Sequence, residues 1–266
     1  MNTPPLIPNP SDRKQFPPLI SSGVPVDPKV HVEQGTGLAT FLAYLAAGLG
    51  VLIGIALTYG ILLLALIIAP IADYFNRRKA MALLKGSAVE VSAYQFPEIH
   101  QCAEEIAKRL GMKATPAVYL VEGNVINAAA ARVAGRQVVV LLDDLVDACL
   151  RSGDTQTLTF ILGHEMAHHA LGHTGMIRSS LTRAFKKLAR LDEFSCDAIA
   201  NALVGDMNVS TRAIALLTTG PQLFPFLNFS ALCQQAQQVA ADKNSKKAER
   251  RLTHPLLLHR LSRFAS

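Results

Sequence analysis

The 266-residue chain has no tryptophan, few other aromatics and only four cysteines. With so few aromatics and no recognisable binding module, the formal charge of +6 does not argue for a nucleic-acid partner. Cys102, Cys149, Cys196 and Cys233 are widely separated and form no C-x-x-C pair, which excludes a zinc ribbon and any obvious disulfide framework. Reduced thiols are the default for such spacing and favour a cytosolic domain. Charge is also missing locally: Leu38 to Ala69 contains no ionisable side chain apart from tyrosine. As one helix this stretch would extend about 48 Å, against roughly 30 Å for a hydrocarbon core. It reads as a transmembrane segment over 37–70. One solution is a single tilted span; the other is a hairpin broken near Gly48-Leu49-Gly50 or Gly54. Each hairpin arm would be short for a crossing, which favours the single span. No charged n-region with a prompt hydrophobic stretch and cleavage site precedes it, so a removable signal peptide is not expected.

Proline is abundant only at the start. Residues 1–36 hold eight of the fourteen prolines and no apolar periodicity, as in a disordered tail. Arg77-Arg78-Lys79 and Lys85 follow the apolar segment, and by the positive-inside rule they place residues 71–266 in the cytoplasm of a cell-membrane protein. Further basic groups (Arg178, Arg183, Lys186, Lys187 and Arg190, then Lys246, Lys247, Arg250 and Arg251) are solvated faces or contacts with an anionic leaflet. A lipid-binding role through them could coexist with any other activity. The spacing predicts a helix over 96–110 ending at Gly111, strands over 117–121 and 137–142, and a short helix over 144–150. Asp154 would cap the helix that follows.

That next helix carries His164-Glu165-Met166-Ala167-His168. Two histidines four apart share one helical face and can share a tetrahedral metal. Glu165, between them, could reach a water on zinc and take its proton as the water attacks a peptide carbonyl. A catalytic site also needs a third ligand. The best candidate is Glu193, four residues before Asp197 on one helical face. Glu193 could ligate, while Asp197 could accept a hydrogen bond from a ligand histidine. Asp192 reads as solvated, Cys196 as small packing, and His169 and His173 as structural or surface residues.

The string Gly163-His164-Glu165-Met166-Ala167-His168 with Glu193-x-x-x-Asp197 resembles family 48 of the membrane zinc metallopeptidases, which contains HtpX and the CAAX prenyl proteases. Agreement extends over about residues 90–262. It includes Phe96-Pro97-Glu98-Ile99-His100, Pro116 to Leu120 with Asn127-Ala128, and Thr253-His254-Pro255 with Arg260. The resemblance implies an α+β fold: a mostly helical zincin-like domain of the gluzincin type with a small β-sheet, preceded by a transmembrane helix. It implies one zinc per chain on His164, His168 and Glu193, with Glu165 as general base and Asp197 behind a ligand. Asn127 and Ala128 would lie near the sheet edge that pairs with an extended protein or peptide substrate. His254 and Arg260 would sit near the cleft, as donors for an oxyanion. The expected activity is endopeptidase cleavage in protein quality control or processing. The alternative is a catalytically silent, membrane-anchored zinc-binding scaffold. One departure concerns Ala213 to Cys233: in place of a further transmembrane helix, Gly220-Pro221 and Pro225 point to a cleft-covering or interfacial loop.

Overall fold

A computed structural model of the chain describes Leu19 and residues 23–123, 127–133 and 135–265. The expected apolar run is divided between helix α1 (Thr36–Leu57) and helix α2 (Ile61–Ser87). The division falls later than the glycines suggested, at Thr58-Tyr59-Gly60. Here Gly60 N–H donates to Ile55 O and Tyr59 N–H to Ala56 O, with Tyr59 at φ 50°. This is a Schellman ending, and Gly60, at φ 88°, then starts α2 in a conformation that costs glycine nothing. A single continuous helix over 37–70 is therefore not what the backbone adopts.

Both ends of the helical pair are tied to the rest of the molecule. Before α1, Val26 N–H donates to Arg109 O (2.8 Å) and Glu33 N–H to Ser195 Oγ (2.9 Å). Glu33 also accepts both arms of Arg263, at 2.6 and 2.7 Å. The stretch 23–35 is thus docked, with a 3-10 turn at Pro28–His31, where sequence composition suggested disorder. Local composition does not register long-range ion pairs. Of the expected disordered tail, residues 1–18 and 20–22 lie outside the described residues. On the return arm, Arg77 Nη1 donates to Arg132 O at 2.6 Å. Between these anchors, leucines, isoleucines and aromatics of α1 and α2 face outward all round. An apolar surface of that extent, left uncovered by the described residues, is suited to lipid. Thr36–Leu57 is long and apolar enough to cross a membrane.

After α2 the chain opens the rest of the fold with strand β1 (Val89–Glu90) and helix α3 (Pro97–Arg109), whose Pro97 sits at the first turn. Gly111 (φ 63°) ends α3 as expected. Strands β2 (Ala117–Val121), β3 (Ala128–Val133) and β4 (Arg136–Leu142) complete a sheet of order β1-β2-β4-β3. Strands β2 and β4 run parallel, in register Val118↔Val139; β3 is antiparallel to β4, with Ala128 opposite Leu141. Among the described strands, β3 is one edge of the sheet and the two-residue β1 the other. Four consecutive alanines, Ala128–Ala131, made β3 hard to foresee, because they lack both the alternation and the β-branched residues that mark a strand.

Helix α4 (Asp143–Ser152) leads to Asp154, which caps α5 (Thr155–Ala170): its Oδ1 accepts from Thr157 N–H at 3.1 Å. Arg212 Nε donates to the other oxygen at 2.6 Å. Such a cap contributes on the order of 1 kcal/mol. Helix α5 is the centre of the domain, with Leu158, Phe160, Leu162, Met166 and Ala167 buried. Helices α6 (Met176–Ala184) and α7 (Lys186–Val204) follow. Helix α7 crosses α5 at Gly163, where an added Cβ would come within 2.8 Å of Leu203 Cδ1. Glycine at this point lets the backbones approach, which brings the acidic face of α7 over the histidines of α5. Helix α8 (Met207–Thr219) buries Val209, Ala213, Ile214 and Ala215, so the first part of the expected loop is a core helix. The loop itself is confined to 220–228, where Leu223 and Phe226 are exposed. Helices α9 (Phe229–Ala241), α10 (Lys243–Glu249) and α11 (Leu257–Leu261) complete the chain.

Candidate metal centre and active site

One turn of α5 separates His164 from His168, and both rings face Glu193 on α7. Nε2 of His164 lies 3.5 Å from Glu193 Oε2, and Nε2 of His168 lies 3.5 Å from Oε1. These three donor atoms lie within 4.8 Å of one another. Two imidazole nitrogens and a carboxylate oxygen are a donor set suited to zinc and leave room for a fourth ligand. Glu165, half-buried, lines the same cleft of about 490 Å³.

The other nitrogen of His164 is also engaged. Its Nδ1–H donates to Asp197 Oδ1 at 2.9 Å, which fixes the tautomer that leaves Nε2 free to ligate. Asp197 is 1% exposed and is held by a guanidinium fork, with Arg260 Nη2 at 2.6 Å and Nε at 2.8 Å. Burial opposes the charge on Asp197, yet Arg260 and His164 together keep its carboxyl below the ordinary range. Burial likewise opposes protonation of His164, but the hydrogen bonds to Asp197 and Glu193 outweigh it and raise the imidazole to about 10. Glu193 is driven well below its ordinary value against the cost of burial, mainly by His164 and His168.

The remaining expected residues converge on the same cleft. Asn127 and Ala128 line it at the start of β3. The exposed His254 reaches Glu193 Oε1 with Nε2 at 3.4 Å. Arg260 is less free than the sequence suggested: two nitrogens are committed to Asp197, and Nη1 faces Glu193 Oε2 at 3.7 Å. His169 is structural, with Nε2 3.0 Å from Val138 O and Nδ1 2.9 Å from Thr174 Oγ1. Cys196 is fully buried, and burial lifts its thiol well above the ordinary range.

Three assignments change. Asp192 is not solvated but 3% exposed, and it receives a hydrogen bond from Arg178 Nη2. Arg178 accordingly leaves the group of solvated basic residues. Arg190 leaves it too, with Nη1 donating to the carbonyl of Leu252 at 2.9 Å. Of the two readings open for His173, structural or surface, the first applies: its side chain is 9% exposed, with Nδ1 3.2 Å from His168 Nδ1. Burial, with help from the neighbouring His168, pushes the His173 imidazole down to about 2. Helical-wheel reasoning missed these contacts because His173 lies beyond the end of α5, and the other two partners come from α6 and α7.

Comparison with known proteins agrees with this geometry. Residues 93–185, from just before α3 through the end of α6, match the family model described as Peptidase family M48. No curated protein and no solved structure matches the chain. The matched segment, about a third of the chain, holds both histidines, Glu165 and the edge strand, and over that segment the chain is similar to peptidase family M48, a family of zinc metallopeptidases.

Proposed function

We propose that this metallopeptidase is a membrane-anchored zinc endopeptidase, with His164, His168 and Glu193 as the metal ligands and Glu165 as general base. The observation that carries the reading is the convergence of two Nε2 atoms and a carboxylate, each within 4.8 Å of the others, on a cleft that Glu165 also lines. A zinc ion held there supplies Lewis acidity that acidifies water and polarises a carbonyl. The chain does the rest. An extended substrate segment adds to the free edge of β3 beside Asn127 and Ala128, which sets its scissile bond over the α5 face. Glu165 accepts a proton from the attacking water and returns it to the leaving amine. His254 and Arg260 Nη1 are the nearest donors for the developing oxyanion. Asp197 keeps His164 in the ligating tautomer. A cleft that admits backbone in extended form suits protein substrates at a membrane surface, as in quality control or processing.

The test uses the full chain purified in detergent. One zinc per chain is expected, with casein hydrolysis lost on chelation and restored by added zinc. A protein that binds no metal would refute the site, and one that binds zinc without any turnover would be a scaffold.

We also propose that α1 and α2 enter the membrane as a hairpin with both ends on the catalytic side. The chain is in contact with the domain at Thr40, through Arg178, and again at Arg77, through Arg132. The intervening arms, from Thr40 to Leu57 and from Ile61 to Arg77, each reach about 25 Å at 1.5 Å per residue. That is most of the hydrocarbon depth. Arg77, Arg78, Lys79 and Lys85 favour the cytoplasmic side. In sealed vesicles, Lys29→Cys and Lys243→Cys should react with an impermeant maleimide from the same side. Labelling from opposite sides would establish a single span.

A further inference from the structure

The two histidines of the centre are backed differently. His164 leans on a carboxylate, whereas His168 leans on a third histidine. Helix α5 ends at Gly172 (φ 75°), and His173 N–H donates to His168 O at 2.8 Å. This Schellman turn folds His173 back over the last turn of the helix, so that its Nδ1 lies 3.2 Å from His168 Nδ1. His173 Nε2 faces Asp192 Oδ1 at 3.4 Å. Asp192 receives Arg178 Nη2, and Arg178 Nη1 donates to Thr40 Oγ1 at 2.7 Å. Thr40 belongs to the first turns of α1, where the apolar helix leaves the domain.

We propose that His173 is a positioning residue that fixes the ring of His168 for metal binding, and that Asp192 and Arg178 tie it to the root of the membrane helix at Thr40. The inference rests on the zinc reading above. Its argument is the matching of donors to acceptors along the chain. To offer Nε2 to a metal, His168 must carry its proton on Nδ1, and that proton needs an acceptor. The Nδ1 of His173, 3.2 Å away, is placed to supply one, with Nε2 of the same ring facing the Asp192 carboxylate as the site for its own proton. Arg178 then donates to Asp192 and to Thr40. Each link of the relay pairs one donor with one acceptor, and reversing any one link breaks the next.

The pairing of Asp192 with Arg178 does not look built for stability alone. Among the described residues, Asp192 Oδ2 and Arg178 Nε are both buried without a hydrogen-bond partner. A pair optimised for stability would use a two-pronged fork and leave neither atom unmatched. The single-pronged contact instead leaves Arg178 Nη1 free to reach α1. The same helix α6 exposes Met176 and Ile177 beside this junction, so the arginine sits where the domain meets the apolar arm.

A rival occupant must be separated in the test. His168 Nδ1, His173 Nδ1 and Cys196 Sγ also lie within 4.8 Å of one another and could hold a second ion. The burial of Cys196 and its nearby carboxylates disfavour the thiolate that such a site requires.

The experiment is a cobalt(II) titration of the metal-free full chain in detergent, with chelator competition for affinity and the d–d absorption band as a signature. His173→Ala should weaken cobalt about 10- to 100-fold and move the band. His173→Gln, whose amide can accept from His168 and donate to Asp192, should recover most of the affinity. Thr40→Val should lose affinity in the same direction by a smaller factor. Unfolding temperatures of the metal-free proteins show whether a variant has failed to fold, and then His173→Gln and Thr40→Val carry the test. Wild-type affinity and band in His173→Ala would overturn the positioning role, and wild-type affinity in Thr40→Val would overturn the tie to the membrane helix. Two cobalt equivalents with a thiolate-to-cobalt charge-transfer band would overturn it in favour of a second metal. A wild-type chain that binds no cobalt would instead overturn the zinc reading beneath it.

Discussion

Glu165→Gln should bind zinc as the wild type does and hydrolyse casein about a hundred- to ten-thousand-fold more slowly. Glutamine keeps the shape and half-burial of the side chain and can still hydrogen-bond to water, but it cannot take a proton. Glu165 lies next to the ligand His164 in sequence, yet it is not among the three donors that lie within 4.8 Å of one another. Removing its charge should therefore leave metal content unchanged while the rate falls. A substitution that acts only in the transition state lowers kcat and kcat/KM together and leaves KM alone. Metal analysis and casein kinetics on the same preparation separate the outcomes. Loss of zinc would make Glu165 a ligand, and wild-type turnover would remove it from the mechanism.

Arg260→Met should be the most damaging substitution to the fold, at roughly 3–5 kcal/mol, because it strips a buried carboxylate of its main partner. Asp197 is 1% exposed, and its two oxygens are shared between the Arg260 fork and His164. Methionine fills much of the same volume but leaves Asp197 charged, buried and half satisfied. For a domain of this size the loss corresponds to a fall in Tm on the order of 10 °C. Lysine would not rescue it, since a single ammonium cannot reproduce the fork across both oxygens. The control is the double variant Asp197→Asn with Arg260→Met. It should regain part of the stability by removing the unpaired charge, while zinc affinity stays low because His164 has lost its carboxylate. Full stability of the single variant, measured by thermal unfolding, would show that the pair contributes little.

The convergence proposed as a metal site was readable in the sequence because its spacing is a property of helices. His164 and His168 share a face at four residues, as do Glu193 and Asp197, and the structure needs only one crossing, at Gly163, to bring the two faces together. Strands β2 and β4 were legible for the same reason, since runs of valine and leucine flanked by turn residues have few other uses. Strand β3 was not, because alanine carries almost no strand signal. Its place is set by pairing with β4. The break of the apolar run at Tyr59 was hidden by glycines at 48, 50 and 54, which a helix in an apolar setting can absorb. The fate of charged residues was least legible. Asp192 and Arg178 read as surface because charged side chains usually are, and nothing local signals that each will find the other inside the protein.

The position of Arg260 in the chain has a consequence for how the protein comes into being. As synthesis proceeds from the amino end, the apolar arms emerge first and the two histidines later, followed by Glu193 and Asp197. The cation that lets Asp197 remain charged and buried emerges after all of them. A nascent chain that already holds every proposed metal ligand therefore still lacks the group that locks His164 in place. The proposed site is completed late, after the apolar arms and most of the cleft walls have been made.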